Sequence, residues 1–160
     1  MVSVPLHPGG TLRTLRVAMD IEALPDAPDA EEQLGDGTRL APRARVLVVE
    51  DEGDLRELLG RWLETKGYEV MEAGDGEEAV ELLEAGAEPD VILLDLTMPR
   101  MDGREFLEWL RASPKHRDRH VIVASGYLDD EHPVDVDRAF AKPFRPDLLE
   151  RELARLASGD

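Results

Sequence analysis

The chain has 160 residues, 42% of them hydrophobic, which suits one domain with a tail and supplies enough apolar surface for a core. Its net charge of −17 makes nucleic acid and anionic membranes poor direct partners. The absence of cysteine excludes disulfides, thiolate zinc sites and thiol nucleophiles and fits a cytoplasmic protein; no apolar run approaches a membrane span, and the N-terminus lacks a secretory stretch.

Residues 1–44 stand apart from the rest. They carry Pro5, Pro8, Pro25, Pro28 and Pro42, the Gly9-Gly10 pair and an acidic stretch from Asp26 to Asp36, with modest helical character only from Leu12 to Leu24. This composition predicts a disordered N-terminal extension. Two further readings compete for it: a wrongly assigned start, with Met19 or a later site as the true one, and a localisation or partner-binding arm.

From Arg45 the pattern becomes regular. Val46 to Val49 is a short β-branched strand ending at Glu50-Asp51. Asp54 to Lys66 is a helix with Leu55, Leu58, Leu59, Trp62 and Leu63 as its apolar stripe, stopped by Gly67. Tyr68 to Ala73 is the second strand. Asp75 then reads as an N-cap, with Glu78 three residues on as in a capping box. The helix that follows presents Ala79, Val80, Leu82 and Leu83 inward and ends by Gly86 and Pro89. Val91 to Asp95 is a third strand, apolar until it meets its terminal carboxylate. Gly103 to Ala112 is a helix, with Asp102 in the turn before it; Val121 to Ala124 and Ala139 to Ala141 are further strands, and Pro146 to Ala157 is a terminal helix. Strands alternating with helices predict an α/β fold: a doubly wound, five-stranded parallel sheet of flavodoxin-like type over residues 45–160. Right-handed crossovers bring the carboxyl ends of its strands to one edge, where ligands bind in such sheets.

Four strand ends carry polar groups to that edge: Glu50-Asp51, Asp95, Ser125 and Lys142. Carboxylates converging there repel, at roughly 4 kcal/mol per close pair for a separation of ~4 Å and an effective dielectric near 20. A hard divalent cation removes the conflict, and three carboxylates without His or Cys suit Mg²⁺ or Mn²⁺ rather than zinc. Lys142 offers a positive charge to phosphoryl oxygens, Ser125 a hydroxyl donor, and Asp95 a nucleophile able to form an acyl phosphate.

These pieces are similar to a response regulator receiver domain of two-component signalling. The resemblance is carried by Val46-Leu47-Val48-Val49-Glu50-Asp51-Glu52, by Leu93 to Gly103, by Val121-Ile122-Val123-Ala124-Ser125-Gly126 and by Lys142-Pro143-Phe144, four motifs in order. It implies that Asp95 is the phosphoacceptor. It also implies that Glu50, Asp51, Asp95 and the backbone carbonyl of Thr97 make the Mg²⁺ site, with Asp51 the direct ligand and Glu50 acting through water. Ser125 and Lys142 would contact the phosphoryl group, with a cis bond at Lys142-Pro143. The function implied is that of a signalling phosphoacceptor rather than an enzyme. A sensor histidine kinase or histidine phosphotransfer protein would charge it. Because the sequence runs only one helix past Lys142 and shows no effector domain there, output is expected through a partner protein, the N-terminal arm or onward phosphotransfer, with no direct nucleic-acid or membrane contact.

Two departures from the family pattern stand out. Only residues 126–138 are available to leave the fourth strand and return, and Gly126, Pro133 and Asp129-Asp130-Glu131 leave little helix-forming sequence. The crossover helix there, the fourth in chain order, is expected to be shortened or absent. The family also places an aromatic switch residue three positions before the lysine; here that position is Ala139 and the aromatic is Phe140, leaving Ser125 and Phe140 as the switch candidates. The departures motivate an alternative, a docking module that works without phosphorylation. A Mg²⁺-dependent phosphohydrolase is a third reading, against which stands the lack of a second acid/base carboxylate beside Asp95. Elsewhere Asp54, Glu77 and Glu78 are read as first-turn charges, the histidines His7, His116, His120 and His132 as surface residues, Trp62 and Trp109 as packing, and Arg111, Lys115, Arg117 and Arg119 as a solvated basic loop.

Overall fold

The computed structural model describes residues 41–129 and 132–159 and contains nine elements in chain order. They are β1 (Arg45–Val49), α1 (Gly53–Thr65), β2 (Glu69–Ala73), α2 (Gly76–Glu84), β3 (Val91–Leu94), α3 (Gly103–Ala112), β4 (His120–Ser125), β5 (Arg138–Ala141) and α4 (Pro146–Ala157). Every pairing is parallel and the strand order is β2-β1-β3-β4-β5. The order reverses between β1 and β3, so their carboxyl ends flank the crevice where such sheets bind ligands.

The apolar runs of β1, β3 and β4 are unbroken because helices cover both faces of the sheet. On one face Val46, Val48, Val91, Leu93 and Ile122 pack with Leu59, Trp62 and Leu63 of α1 and Leu149 and Leu153 of α4. On the other, Leu47, Val49, Ile92, Leu94 and Val123 pack with Ala79 and Leu83 of α2 and Phe106, Leu107 and Leu110 of α3. Each of these three strands therefore contributes to both cores by simple alternation.

No helix is present among the described residues between β4 and β5. Without helical hydrogen bonds the irregular segment needs other partners for its main chain. Side chains of α3 supply them: Arg104 Nη1 donates to the carbonyl of His132 at 2.8 Å, and Arg111 Nη2 to that of Asp135 at 2.9 Å. Asp137 closes the segment onto β4, its carboxylate accepting the Val121 amide at 2.7 Å and lying 2.9 Å from His120 Nδ1. Beside this segment lies an open groove of about 410 Å³, floored in part by Leu96, Leu128, Val134, Val136 and Ala139.

Some local expectations are corrected. Asp75 does cap α2, accepting from the Glu78 amide at 3.0 Å, but the Glu78 carboxylate accepts from Gly74 N at 2.6 Å instead of returning to Asp75. The reciprocal capping box belongs to Asp102 and Glu105 at the start of α3. His116 is not a surface residue: it is 3% exposed, stacks on Trp109 and accepts from Arg119 Nε at 3.1 Å. Burial, reinforced by Arg119 and Lys115, lowers its pKa and favours the neutral ring that this bond needs. The basic loop is only partly solvated, since Arg111 binds the carbonyls of Arg117 and Arg119, and Arg119 that of Pro89. The extension predicted for residues 1–44 lies, up to residue 40, outside the described residues, as do His7, Asp130 and Glu131.

Candidate metal and phosphoryl site

β1 ends one residue before Glu50, and the Glu50 amide continues the ladder to the Ala73 carbonyl at 3.1 Å. β3 ends one residue before Asp95, whose amide bonds Val49 O at 3.0 Å. These backbone bonds carry the two carboxylates to neighbouring strand ends at the switch point. Glu50 is 4% and Asp95 7% exposed, whereas Asp51 is exposed at the rim. One carboxylate oxygen from each of Glu50, Asp51 and Asp95 lies within 4.8 Å of the others.

Lys142, delivered by β5, reaches the same place. Its Nζ donates to Glu50 Oε2 at 2.6 Å and lies 3.7 Å from Asp95 Oδ2. The Lys142-Pro143 bond that follows is cis. Even with the ammonium close by, burial pushes the Glu50 carboxyl up to about 7, with Lys142 opposing the shift and Asp95 adding to it. A desolvated acid that lysine does not fully neutralise, grouped with two more carboxylates and with no His or Cys among the described residues in the group, fits a hard oxygen-seeking cation such as Mg²⁺.

The loop after β3 frames the opening. Thr97 is exposed, and its amide donates to Asp95 Oδ1 at 3.2 Å, orienting the carboxylate. Gly103 permits the loop to fold back: a Cβ there would lie 2.3 Å from the Asp95 carbonyl oxygen. Ser125, at the end of β4, is fully buried, and the Tyr127 amide lies 3.5 Å from its hydroxyl. Phe140 is not at this edge; it packs with Phe144, ring centroids 6.0 Å apart, against the α1 and α4 core.

Arg100 is a member of this frame that the sequence pattern did not reveal. It adopts φ 62°, a left-handed conformation that costs a non-glycine residue roughly 1 kcal/mol or more. Its guanidinium pairs with the buried carboxylate of Asp75 and approaches Glu77 and Glu78 at the N-terminus of α2. Gly76 N donates to Met101 O at 3.1 Å in the same place. The ion pair thus ties the Asp95 loop to α2 and offsets the backbone strain. A turn conformation and a cross-loop ion pair leave no periodic trace in sequence.

Residues 46–154 match the response regulator receiver domain family. The chain belongs to that family. The sensor kinase CckA of Brucella abortus is 41% identical over 127 residues, covering 74% of this chain and 13% of the kinase. The response regulator MprA of Mycolicibacterium vanbaalenii is 37% identical over 115 residues, covering 70% of this chain and 48% of MprA. The chain therefore spans about half the length of one relative and a small fraction of the other. Among solved structures, the Thermotoga maritima response regulator TrrA, in complex with Mg²⁺-BeF, superposes with a TM-score of 0.61 at 33% identity, over 70% of this chain and 97% of TrrA. The receiver fold and the family's place in two-component signalling are therefore properties of this chain.

Proposed function

We propose that the protein is a phosphoacceptor, charged on Asp95 by a histidine kinase or histidine phosphotransfer protein in the cytoplasm, and that it passes the signal to a partner protein. The observation that carries this reading is the convergence of Glu50, Asp51 and Asp95 within 4.8 Å, with Lys142 Nζ 2.6 Å from Glu50 Oε2 and 3.7 Å from Asp95 Oδ2. Asp95 Oδ attacks phosphorus, the bond to the donor nitrogen breaks, and an acyl phosphate forms while the imidazole leaves. Asp51, Asp95 and the Thr97 carbonyl would hold Mg²⁺, with Glu50 acting through water, and the bound cation would supply charge neutralisation for the carboxylates and the incoming phosphoryl group. Lys142 contacts phosphoryl oxygens, and Ser125 moves to donate its hydroxyl to one of them. This chemistry is mostly positioning and charge neutralisation, which the site is built to supply.

Exposed Ala139 beside the open groove favours a second reading, a docking module indifferent to phosphorylation. Incubation with phosphoramidate and Mg²⁺ followed by intact mass separates the two. A single phosphoryl adduct is expected on the wild type, absent in Asp95→Asn and without Mg²⁺, and slowed in Lys142→Ala. An adduct that survives in Asp95→Asn sinks the phosphoacceptor reading. No adduct on folded, Mg²⁺-binding protein favours the docking module.

A further inference from the structure

Asp51 is the exposed member of the carboxylate trio, and it sits on the short turn between β1 and α1 rather than in the sheet. Something must fix the direction in which it leaves the sheet edge. The Glu50 amide is held by β2 and the Glu50 carboxylate by Lys142 and by the Glu52 amide at 3.2 Å. The Glu50 main-chain carbonyl is the first acceptor past the end of β1, on a residue only 4% exposed, and leaving it unpaired there would be costly.

Arg56, in the first turn of α1, takes that carbonyl: its Nη1 donates to Glu50 O at 2.7 Å. Its Nε is braced by Glu72 Oε2 of β2 at 3.3 Å, and its side chain is 25% exposed. Gly60 leaves room for the Glu72 carboxylate, since a Cβ there would lie 2.6 Å from Glu72 Oε1. A planar guanidinium can serve the carboxylate and the carbonyl at once, with the carbonyl bond strengthened by charge.

We propose that Arg56 is a positioning residue for the cation site. By clamping the Glu50 carbonyl it sets the peptide plane between Glu50 and Asp51, and so holds the Asp51 carboxylate toward Asp95. The proposal rests on the receiver reading above. It differs from a purely structural role for Arg56, which predicts lower stability with unchanged affinity for the cation.

The test uses the full chain and Mg²⁺ alone as probe. Mg²⁺ affinity is measured by calorimetry and amide exchange at Asp51 and Glu52 by NMR, in wild type, Arg56→Ala, Arg56→Lys and Glu72→Gln. Losses from removing groups that orient metal ligands run about 10–100-fold, so Arg56→Ala is expected to weaken Mg²⁺ at least tenfold and to speed exchange at both amides. Its rate of adduct formation at saturating Mg²⁺ returns to that of wild type, because the reacting groups are untouched. Glu72→Gln keeps the carbonyl bond and loses less, and Arg56→Lys keeps the charge and falls between. Wild-type Mg²⁺ affinity in Arg56→Ala overturns the proposal, whatever happens to stability. Should Arg56→Ala not fold, unchanged affinity in Arg56→Lys overturns it, since one ammonium cannot hold both partners in the same geometry. If wild-type protein binds no Mg²⁺, the receiver reading fails and the positioning role with it; if wild type binds and the Arg56 variants bind equally well, only the positioning role falls.

Discussion

Glu50 sets burial against charge. Its carboxyl is 4% exposed and titrates at about 7 rather than 4.5, with burial the leading cause. The sign of the consequence follows from which state binds the proton. Between about 4.5 and 7 the folded protein holds a proton on Glu50 that the unfolded chain has released, so stability falls as pH rises through this window. The shift corresponds to about 3 kcal/mol lost by pH 7.5 in the metal-free protein. Glu50→Gln removes the titration and keeps an acceptor for Lys142. Urea unfolding in EDTA at pH 5 and pH 7.5 is expected to show a steeper loss in wild type than in the variant. All other titrating groups are common to both proteins, so parallel losses would mean that Glu50 is not the strained acid. The same proton competes with the cation, so Mg²⁺ affinity should decline as pH drops below about 7.

β5 shows what an element can hide when only its sequence is read. The register pairs Val123 with Ala139 and Ala124 with Phe140, so the two side chains leave opposite faces of the sheet. Phe140 joins the core of α1 and α4, against Phe144 and beneath the Arg138 guanidinium 5.6 Å from its ring. Ala139 lines the groove left by the missing crossover helix. Phe140→Ala is therefore expected to cost about 1–2 kcal/mol, as for a half-buried aromatic, and to leave the rate of adduct formation from phosphoramidate unchanged. A large loss of rate in folded Phe140→Ala would restore Phe140 as a switch acting on the site. The contrast with β1, β3 and β4 explains what was legible. Those strands are buried on both faces, so unbroken apolar runs announce them, and the candidate site residues Glu50, Asp95 and Ser125 stand where each run stops. The missing helix was legible too, because Gly126, Pro133 and a short span leave no room for one. Arg56 and Arg100 were not, since one serves a main-chain carbonyl and the other occupies a left-handed turn, and neither relation has a period. His116 was misread for a similar reason: its burial depends on Trp109 and Arg119, which face it only after α3 has packed.

At the scale of the whole molecule, a net charge of −17 works against compactness, and the three carboxylates at the switch point concentrate that repulsion in one crevice. Two kinds of relief are separable. Monovalent salt screens the diffuse repulsion, with a Debye length of about 10 Å at 0.1 M, and acts on the whole surface. A cation held by the folded site alone stabilises by mass action, about 1.4 kcal/mol at tenfold excess over its dissociation constant. For a domain of this size that corresponds to a rise in Tm of about 5 °C. Mg²⁺ is therefore expected to raise the melting temperature beyond NaCl of equal ionic strength, and Asp51→Asn, which leaves the buried pair and Lys142 in place, is expected to respond to both salts alike. Thermal melts of the two proteins in matched salts decide the matter. An equal Mg²⁺ increment in both would place the cation's effect in the general acidity of the chain rather than in the crevice between β1 and β3.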